Sequence, residues 1–591
     1  MATITDTTAM HETSTRQAKL PALLPFIGIF VVAMILPFVS NDYWALIGTR
    51  AAIYWFLVAG LNLVVGFAGH LAIGYVALLT LGAYTTSVLA SGNVMPPLPV
   101  FVSLIVASCV GAVFGVIVGL PAMRLRTFYF AMTTLGFATI VTQIALAWQS
   151  VTGGGVGIVG PEMPAPFNTP WGFYYLCIGL GAVATWLSAN VAHSRFGRAL
   201  IAIRDVDVAA EATGISKPKL LVSIFLLAGA MAAFAGGLFA SLQTYITPDA
   251  FTFDLSVLFF IAILIGGRGS ILGPMLGTII LTILPEIAAP LAAWSTFLYA
   301  VLLLVIVLVM PGGIAALLDF KSRRPLASNR AIVPRPAVLA EALRKTAGQA
   351  VLSLREVVLT FGNVRAIDGL DLDVKPGQVH GLIGPNGSGK TTTLNVLSGL
   401  YEATSGKVVL DGTDVTTMQP HLRAAAGLGR TFQNIRLFRS MTALENVVIG
   451  AERPGNTLVG KGDHTALTER ALAALTFVGL GARANELISS FSYGHQRLIE
   501  IARALAGNPT LLLLDEPAAG LNSSEKLELH ELLKRIAAQG LTILIIDHDM
   551  TLVSEAAQHI TVLNFGRRIA DGESMAVLRH PDVVSAYLGT A

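Results

Sequence analysis

Long apolar segments fill the first half of the chain. Residues 51–123 contain no Asp, Glu, Lys or Arg, and Glu162 is the one such residue in 127–194. About 20 consecutive apolar residues cross the hydrocarbon core of a bilayer as a helix. The pattern therefore predicts a polytopic α-helical domain with about eight to ten spans. The predicted segments are 21–40, 44–66, 71–90, 99–120, 128–148, 172–192, 220–243, 255–266, 271–290 and 296–311.

Two glycine-rich stretches, 66–70 and 266–269, interrupt this pattern. Non-helical backbone at membrane depth is tolerated where it is buried in protein or lines a cavity. We interpret both stretches as breaks within the membrane. Because a broken segment can be counted as one span or two, the predicted number of spans is eight to ten.

Basic residues orient the segments. One loop carries Arg124 and Arg126, a second is basic over 195–219, and a third follows the last segment with Lys321, Arg323 and Arg324. The intervening loops, 91–98, 149–171 and 244–254, have no Lys or Arg. Because Lys and Arg concentrate in cytoplasmic loops, the pattern places the basic loops and both termini in the cytoplasm.

Composition then divides the chain. Hydrophobic residues make up 54% and charged residues 13%, but the apolar excess ends near residue 318. We predict a disordered tail (1–20), a transmembrane domain (21–318), a basic linker near lipid headgroups (319–350) and a soluble domain (351–591). The net charge of +3 gives no indication of a nucleic-acid partner.

The soluble domain contains a phosphate-binding loop at residues 384–391. An apolar strand (379–383) precedes the loop, and a helix containing Thr392 follows it. In such an α/β arrangement backbone N–H groups cradle phosphates, a lysine neutralises the β/γ oxygens and a hydroxyl faces Mg²⁺. The loop predicts ATP and Mg²⁺ binding by Gly384, Pro385, Asn386, Gly387, Ser388, Gly389, Lys390 and Thr391.

Acidic side chains follow two further apolar strands. The strand 510–514 ends in Asp515 and Glu516, and the strand 542–546 is followed by Asp547 and His548. An acid at the carboxyl end of a buried strand can hold Mg²⁺, and its neighbour can polarise an attacking water. We predict Asp515 as a metal ligand, Glu516 as the catalytic base and His548 as a γ-phosphate contact.

These motifs make 350–591 resemble the ATP-binding cassette ATPases. The resemblance implies that Gln433 contacts Mg²⁺ and senses the membrane domain, and that Phe361 stacks on adenine. Residues 492–496 are similar to the family signature, with Ser492 and Gly494 as phosphate contacts, although Phe491, Tyr493 and His495 depart from the common pattern. Residues 519–522 fit the loop that crosses the dimer interface. In this family a signature closes over the phosphate-binding loop of a second ATPase domain. The resemblance therefore implies a further ATPase domain from a separate chain, either an identical copy or a related subunit.

The membrane half also resembles a known family, the permeases of the branched-chain amino acid uptake system. The similar stretches are 60–71, 129–137 and 266–274, and the ATPase half resembles the same system through 430–434 and 586–589. The resemblance implies a fused permease–ATPase subunit of an importer for branched-chain or related small amino acids, in a bacterial inner membrane. It also implies a second permease, a second ATPase and an extracytoplasmic solute-binding protein.

Residues 198–213 read as one cytoplasmic helix that ends at Gly214. Ala, Ile and Val fill one face, whereas Arg204, Asp205 and Glu211 lie on the other. The resemblance implies a coupling helix docked beside Gln433, with an interfacial amphipathic loop as the alternative. For a coupling helix, we expect mild effects from replacing Asp205 or Glu211.

The substrate site is the least determined. Asn62, His70 and Thr133 are polar side chains in apolar segments, and they mark either a substrate pathway or interhelical hydrogen bonds. Three alternatives stay open: an exporter, a membrane ATPase that acts as a channel or sensor, and an importer of urea, short amides or aromatic acids.

Overall fold

The computed structural model describes residues 20–92, 96–125, 127–287, 350–452 and 464–588, with short pieces between 294 and 318. Outside the described residues lie 1–19 of the predicted tail, 319–349 of the predicted linker, most of the segment 296–311 and the basic residues Arg126, Lys321, Arg323 and Arg324. The chain divides into two units. The helical unit contains Met1–Leu200 and Pro218–Arg324, and the α/β unit contains Ile201–Lys217 and Pro325–Ala591.

Helices build the helical unit, as the apolar pattern predicts. In the residues described, seven stretches are long and apolar enough to cross a membrane: Asp42–Phe67, Ile73–Ser91, Val100–Met123, Thr127–Ala147, Pro170–His193, Lys217–Leu242 and Pro248–Gly266. Shorter apolar helices cover Gly28–Val39 and Gly273–Glu286. The longer helices of this half of the chain are α1 (Leu20–Val39), α2 (Asp42–Asn62), α3 (Val76–Ser91), α4 (Val100–Gly119), α5 (Thr127–Ala147), α6 (Pro170–His193), α7 (Arg195–Ala212), α8 (Lys217–Leu242), α9 (Phe253–Gly266) and α10 (Gly273–Ile287). From Ile201 onward, α7 belongs to the α/β unit.

Both glycine-rich stretches end helices, and they lie against each other. Helix α2 continues into a π-helical turn, Leu63–Phe67, and α9 ends at Gly266. A Cβ at Gly66 would lie 2.5 Å from the backbone nitrogen of Gly269, so only glycine fits there. The Arg268 Nε donates to the carbonyl of Val65 at 2.9 Å. The two breaks therefore form one contact site between α2 and the α9–α10 turn.

Outside the spans, a small antiparallel pair joins β1 (Ile158–Val159) to β2 (Tyr245–Ile246). These strands belong to two of the loops that carry no Lys or Arg. They connect the two loops on one side of the helical unit.

Two sheets form the frame of the α/β unit. Its strands are β3 (Leu352–Phe361), β4 (Val364–Val374), β5 (Val379–Ile383), β6 (Ser405–Leu410), β7 (Thr413–Asp414), β8 (Leu428–Arg430), β9 (Leu511–Asp515), β10 (Thr542–Ile546), β11 (His559–Asn564) and β12 (Arg567–Glu573). The larger sheet has the order β12-β11-β5-β10-β9-β8, and the smaller has the order β4-β3-β6-β7. Every residue of β5, β9 and β10 is buried.

Helices complete the α/β unit. They are α11 (Lys390–Leu397), α12 (Pro420–Ala425), α13 (Ala443–Ala451), α14 (His464–Phe477), α15 (Tyr493–Ala506), α16 (Ser523–Ala538), α17 (Met550–Ala556), α18 (Ser574–Leu578) and α19 (Pro581–Leu588). Because β5, β9 and β10 run parallel, their carboxyl ends meet at one edge of the sheet. The predicted phosphate-binding loop and both acidic turns therefore share that edge.

Candidate active site

The phosphate-binding loop connects β5 to α11, as its motif requires. Gly384 has φ 150°, and a Cβ there would lie 2.1 Å from the carbonyl oxygen of Leu563. Gly389 precedes α11 with φ 99°. The glycines are therefore required by backbone conformation and by close approach, not only by ligand access.

Lys390 points back over its own loop. Its Nζ donates to the carbonyls of Gly384 at 2.8 Å and Pro385 at 2.9 Å. Burial lowers the pKa of Lys390, although Glu516 and Asp515 act to raise it. A cation thus lies inside the loop, close to two acids. Thr391 and Thr392 follow in the first turn of α11, and both are half-buried.

Glu516 begins the turn after β9 in a strained conformation. Its φ is 46°, a left-handed value that is uncommon for a residue other than glycine. The Glu516 N–H donates to the carbonyl of Ile546 at 2.7 Å, which ties the turn to the end of β10. Strain of this kind costs about 1–3 kcal/mol and clusters at functional sites.

The three predicted catalytic side chains meet at Glu516. Gln433 Nε2 donates to Glu516 Oε2 at 2.9 Å, and His548 Nε2 lies 2.9 Å from Glu516 Oε1. The Glu516 side chain is 11% exposed and that of His548 is 51% exposed. Three segments that are distant in the sequence therefore converge on one carboxylate at the sheet edge.

Asp515 lies deeper than Glu516. Its Oδ2 is 3.6 Å from the Arg430 guanidinium, and within the described part of the chain its buried Oδ1 has no hydrogen-bond partner. Burial raises the pKa of Asp515, and the charge of Arg430 partly offsets that effect. Arg430 also donates to Asn395 Oδ1 at 2.7 Å. One carboxylate oxygen therefore remains available to a cation.

Phe361 lies at the end of β3, apart from the Glu516 cluster. Its side chain is 47% exposed, and its ring meets that of Tyr401 edge to face at a centroid distance of 5.3 Å. An exposed ring face suits stacking on a planar ligand.

The signature residues stand at the start of α15. Ser492 caps this helix, with its Oγ accepting from the His495 N–H at 3.4 Å. A Cβ at Gly494 would lie 2.3 Å from Glu525 Oε1, so α15 and α16 approach closely there. The departures at Tyr493 and His495 leave this helix start intact.

The sequence did not assign roles to two groups that the structure brings to the site. Asp547 accepts from the Ala518 N–H at 3.0 Å and so holds the turn after Glu516. Tyr587, in α19, lies beside the backbone of Gly384. Burial raises the pKa of Tyr587, and the Gly384 backbone lowers it in part. Asp547 was identifiable from its place after a core strand, but no local signal indicates that α19 reaches the loop.

A cavity separates α19 from the tip of the phosphate-binding loop. Its volume is about 510 Å³. It is lined by Pro385, Asn386, Gly387, Ser388, Asn564, Phe565, Ile569, Asp582, Ser585 and Ala586. The predicted loop residues 385–388 therefore border open space on one side.

The segment Ile201–Lys217, which we name the docking segment, belongs to the α/β unit. The Ser440 N–H and Oγ donate to Asp205 Oδ2 at 2.9 and 2.5 Å, and the Arg204 guanidinium donates to Ser440 Oγ at 3.0 Å. Ala212 and Thr213 border a cleft whose other wall includes Arg503. The predicted docking near the Gln433 loop therefore has a specific polar contact.

One detail of the predicted coupling helix was wrong. Helix α7 is interrupted at Val206, where φ is −153° and ψ is 94°. The break interrupts the regular helical arrangement of side chains beside Arg204 and Asp205. These two residues, which we predicted on the polar face of this helix, both form hydrogen bonds with Ser440. The predicted end at Gly214 is correct, since Gly214 has φ 107° and the Ile215 N–H donates to Ala210.

The polar candidates in the helical unit have different surroundings. Asn62 Nδ2 donates to the Ser270 carbonyl, and Asn62 Oδ1 accepts from the Gly269 N–H, both at 2.9 Å. Thr133 bonds to the carbonyl of Tyr129 in its own helix. The His70 ring packs edge-on against a neighbouring phenylalanine ring. Of the two interpretations for Asn62, the geometry favours the interhelical hydrogen bond.

The geometry defines a class of protein, a phosphate-binding-loop ATPase on the same polypeptide as a bundle of membrane helices. Family models match both parts. Residues 367–519 match the ABC transporter model, and residues 44–310 match the permease component of the branched-chain amino acid transport system.

Known relatives match the α/β part of the chain. The high-affinity branched-chain amino acid transport ATP-binding protein BraF of Pseudomonas aeruginosa is 40% identical over 251 residues, which cover 41% of this chain and 98% of BraF. LivG of Escherichia coli K12, with the same description, is 38% identical over 41% of this chain and 99% of LivG. A crystal structure of an ATP-binding cassette in its ADP conformation shares 34% identity over 41% of this chain and 100% of that chain, with a TM-score of 0.38.

The chain belongs to the ABC transporters of the branched-chain amino acid transport family, as a fused permease and ATP-binding subunit. It is a multi-pass membrane protein with an ATP-binding domain that hydrolyses ATP to drive transport. This membership supports an importer and does not favour the exporter alternative.

Proposed function

We propose that this chain is the permease–ATPase subunit of an ATP-driven importer for branched-chain or related small amino acids in a bacterial inner membrane. The observation that carries the proposal is the docking segment, which leaves the permease helices and bonds to Ser440 in the α/β unit. Seven residues before Ser440 lies Gln433, which contacts Glu516. ATP-dependent movement of the Gln433 loop would reach the permease through this contact and alternate the access of its cavity.

Each site residue has a proposed role in ATP hydrolysis. Lys390 and the backbone N–H groups of Gly384 and of 386–392 hold the phosphates, and Phe361 stacks on adenine. Glu516 accepts a proton from the attacking water, His548 contacts the γ-phosphate, and Gln433 orients the Glu516 carboxylate. Ser492 and Gly494 bind the phosphates held by a second ATPase domain.

The donor set at the sheet edge fits Mg²⁺. The unpartnered, buried Oδ1 of Asp515 is the observation that supports this fit, because a buried carboxylate oxygen without a partner is costly. Thr391, Gln433 and Asp515 supply the oxygen ligands that Mg²⁺ prefers. When bound, the cation would neutralise phosphate charge, while Asp515 stays anchored by Arg430.

The number of ATPase motifs in the sequence indicates that the chain works with a partner ATPase. The sequence has one phosphate-binding loop and one signature, so a composite site requires another ATPase. We propose a second permease and a second ATPase in the complex, with an extracytoplasmic solute-binding protein that delivers the small-molecule substrate.

We expect the purified chain alone to hydrolyse ATP slowly. Adding the second permease, the second ATPase and the binding protein loaded with L-leucine should raise turnover by about fivefold or more, the scale of typical allosteric coupling. The measurement is steady-state ATPase activity of the chain in lipid nanodiscs, alone and in the complex. A stable homodimer of this chain with full leucine-stimulated activity would contradict the heteromeric assembly.

A further inference from the structure

Helix α15, which begins at the signature, carries a buried group of three charges. Arg497, Glu500 and Arg503 follow one another at intervals of three residues, and their side chains are at most 1% exposed. Arg497 NH1 lies 2.9 Å from Glu500 Oε2, and Arg503 NH2 lies 3.5 Å from Glu500 Oε1. We name these residues the charge triad. Charged side chains are seldom buried so completely unless they are paired.

The triad binds the main chain of the segment 432–436. Arg497 donates to the carbonyls of Phe432 at 2.5 Å and Gln433 at 2.7 Å. Arg497 therefore holds the carbonyl of Gln433, while Glu516 holds its side chain.

The other end of the triad holds Arg436. Glu500 Oε1 accepts from the Arg436 N–H at 3.1 Å, and Arg503 donates to the Arg436 carbonyl at 2.6 Å. Four backbone groups of one short loop segment thus bond to three side chains of one helix. Hydrogen bonds to charged groups are the strong ones, so this segment and α15 should move together.

The same segment leads to the docking contact. Four residues after Arg436 is Ser440, which bonds to Asp205 in the docking segment. The Arg503 guanidinium packs over the Phe438 ring, with 5.0 Å between the guanidinium carbon and the ring centroid, and Arg503 also borders the cleft that contains Ala212 and Thr213. The triad therefore links two places: Arg503 borders the docking cleft, and Arg497 binds Gln433.

We infer that Arg497, Glu500 and Arg503 are positioning residues for coupling. They fasten the Gln433 loop to the signature helix, so that movement of the docking segment reaches Gln433 and the signature together. The inference rests on the proposed function, because it needs a substrate signal to transmit. Without the triad, the loop would still hold Gln433 near Glu516, but the docking segment and the signature would respond separately.

The test replaces Glu500 by Gln in the full complex. This change keeps the shape of the side chain and removes the charge between the two arginines. We expect basal ATPase activity and the KM for ATP within about twofold of wild type, while the stimulation by the L-leucine-loaded binding protein falls about fivefold or more. Arg503→Lys keeps the charge and should retain more of the stimulation than Glu500→Gln.

Glu486→Gln is the matched control. Arg483 and Glu486 form an ion pair with the same three-residue spacing in the same unit, but their side chains are 36% and 43% exposed. We expect wild-type stimulation from this control. Equal stimulation in Glu500→Gln and wild type would overturn the inference, as would a parallel loss of basal and stimulated activity with a lowered melting temperature, which indicates a purely structural role. If wild type itself shows no stimulation, the proposed function fails instead.

Discussion

Replacement of Glu516 by Gln is expected to preserve ATP binding and to lower ATP turnover about a hundredfold or more. The Glu516 carboxylate contacts both Gln433 and His548, and the Glu516 backbone is held in a left-handed conformation at φ 46°. Glutamine fills the same space and can still bond to both neighbours, but it cannot accept the proton of an attacking water. The loss should therefore appear in kcat and not in the affinity for nucleotide.

Two further variants distinguish a loss of catalytic turnover from a loss of nucleotide binding and from a non-specific effect of removing an acid. Lys390→Ala removes the cation inside the phosphate-binding loop and should weaken nucleotide binding itself. Glu531→Gln changes an acid that is 60% exposed on α16, and it should leave both binding and turnover unchanged. Binding of a fluorescent ATP analogue and phosphate release measured on the same complexes distinguish the three cases. Near-normal turnover in Glu516→Gln would remove Glu516 as the base.

Replacement of Ile203 by Asp is expected to abolish the connection between hydrolysis and transport. Ile203 is 5% exposed and lies in the docking segment, two residues before the Asp205 that bonds to Ser440. A carboxylate without a partner in such a site carries a large desolvation cost. We expect ATP hydrolysis to continue at the basal rate, while uptake falls at least about tenfold and substrate no longer stimulates hydrolysis.

The chain offers graded controls for this variant. Ile203→Val removes one methylene, a change that typically costs about 0.5–1.5 kcal/mol, and should transport nearly as wild type. Asp205→Ala removes both hydrogen bonds that Ser440 donates to Asp205. Its uptake should lie between that of Ile203→Val and that of Ile203→Asp, so the loss of uptake should exceed the mild effect expected from removing a surface charge. Measuring uptake and ATPase activity in the same proteoliposomes gives the coupling ratio for each variant. Wild-type uptake by Ile203→Asp would show that the segment is only an interfacial loop.

The sequence predicted the elements whose signal is local. The helices of the helical unit begin and end close to the predicted segments, because uniform apolarity and flanking loops determine them. The phosphate-binding loop and the acidic turn at Glu516 were predicted for a similar reason. Each directly follows a buried strand, and parallel strands place such turns at one edge.

Features that depend on tertiary contacts were not predictable. The break at Val206 accompanies contacts with Ser440, which is distant in the sequence. The triad residues Arg497 and Glu500 are charged, and charged positions on a helix ordinarily indicate a solvated face. Their burial depends on the backbone groups of 432–436, which no helical periodicity reveals. For Asn62 the sequence allowed two interpretations, and only the approach of the α9–α10 turn distinguishes them.

Uptake by the reconstituted complex tests ATP-driven amino acid import most directly. The chain, its permease and ATPase partners and the binding protein are placed in liposomes with ATP and Mg²⁺ on the side of the α/β unit. Labelled L-leucine, urea, a short amide and an aromatic acid are then offered in turn on the opposite side. We predict that leucine accumulates above its external concentration in wild type and does not accumulate in Glu516→Gln. Accumulation of urea, the amide or the aromatic acid without leucine would contradict the amino acid assignment, and ATP-driven movement in the opposite direction would contradict import itself.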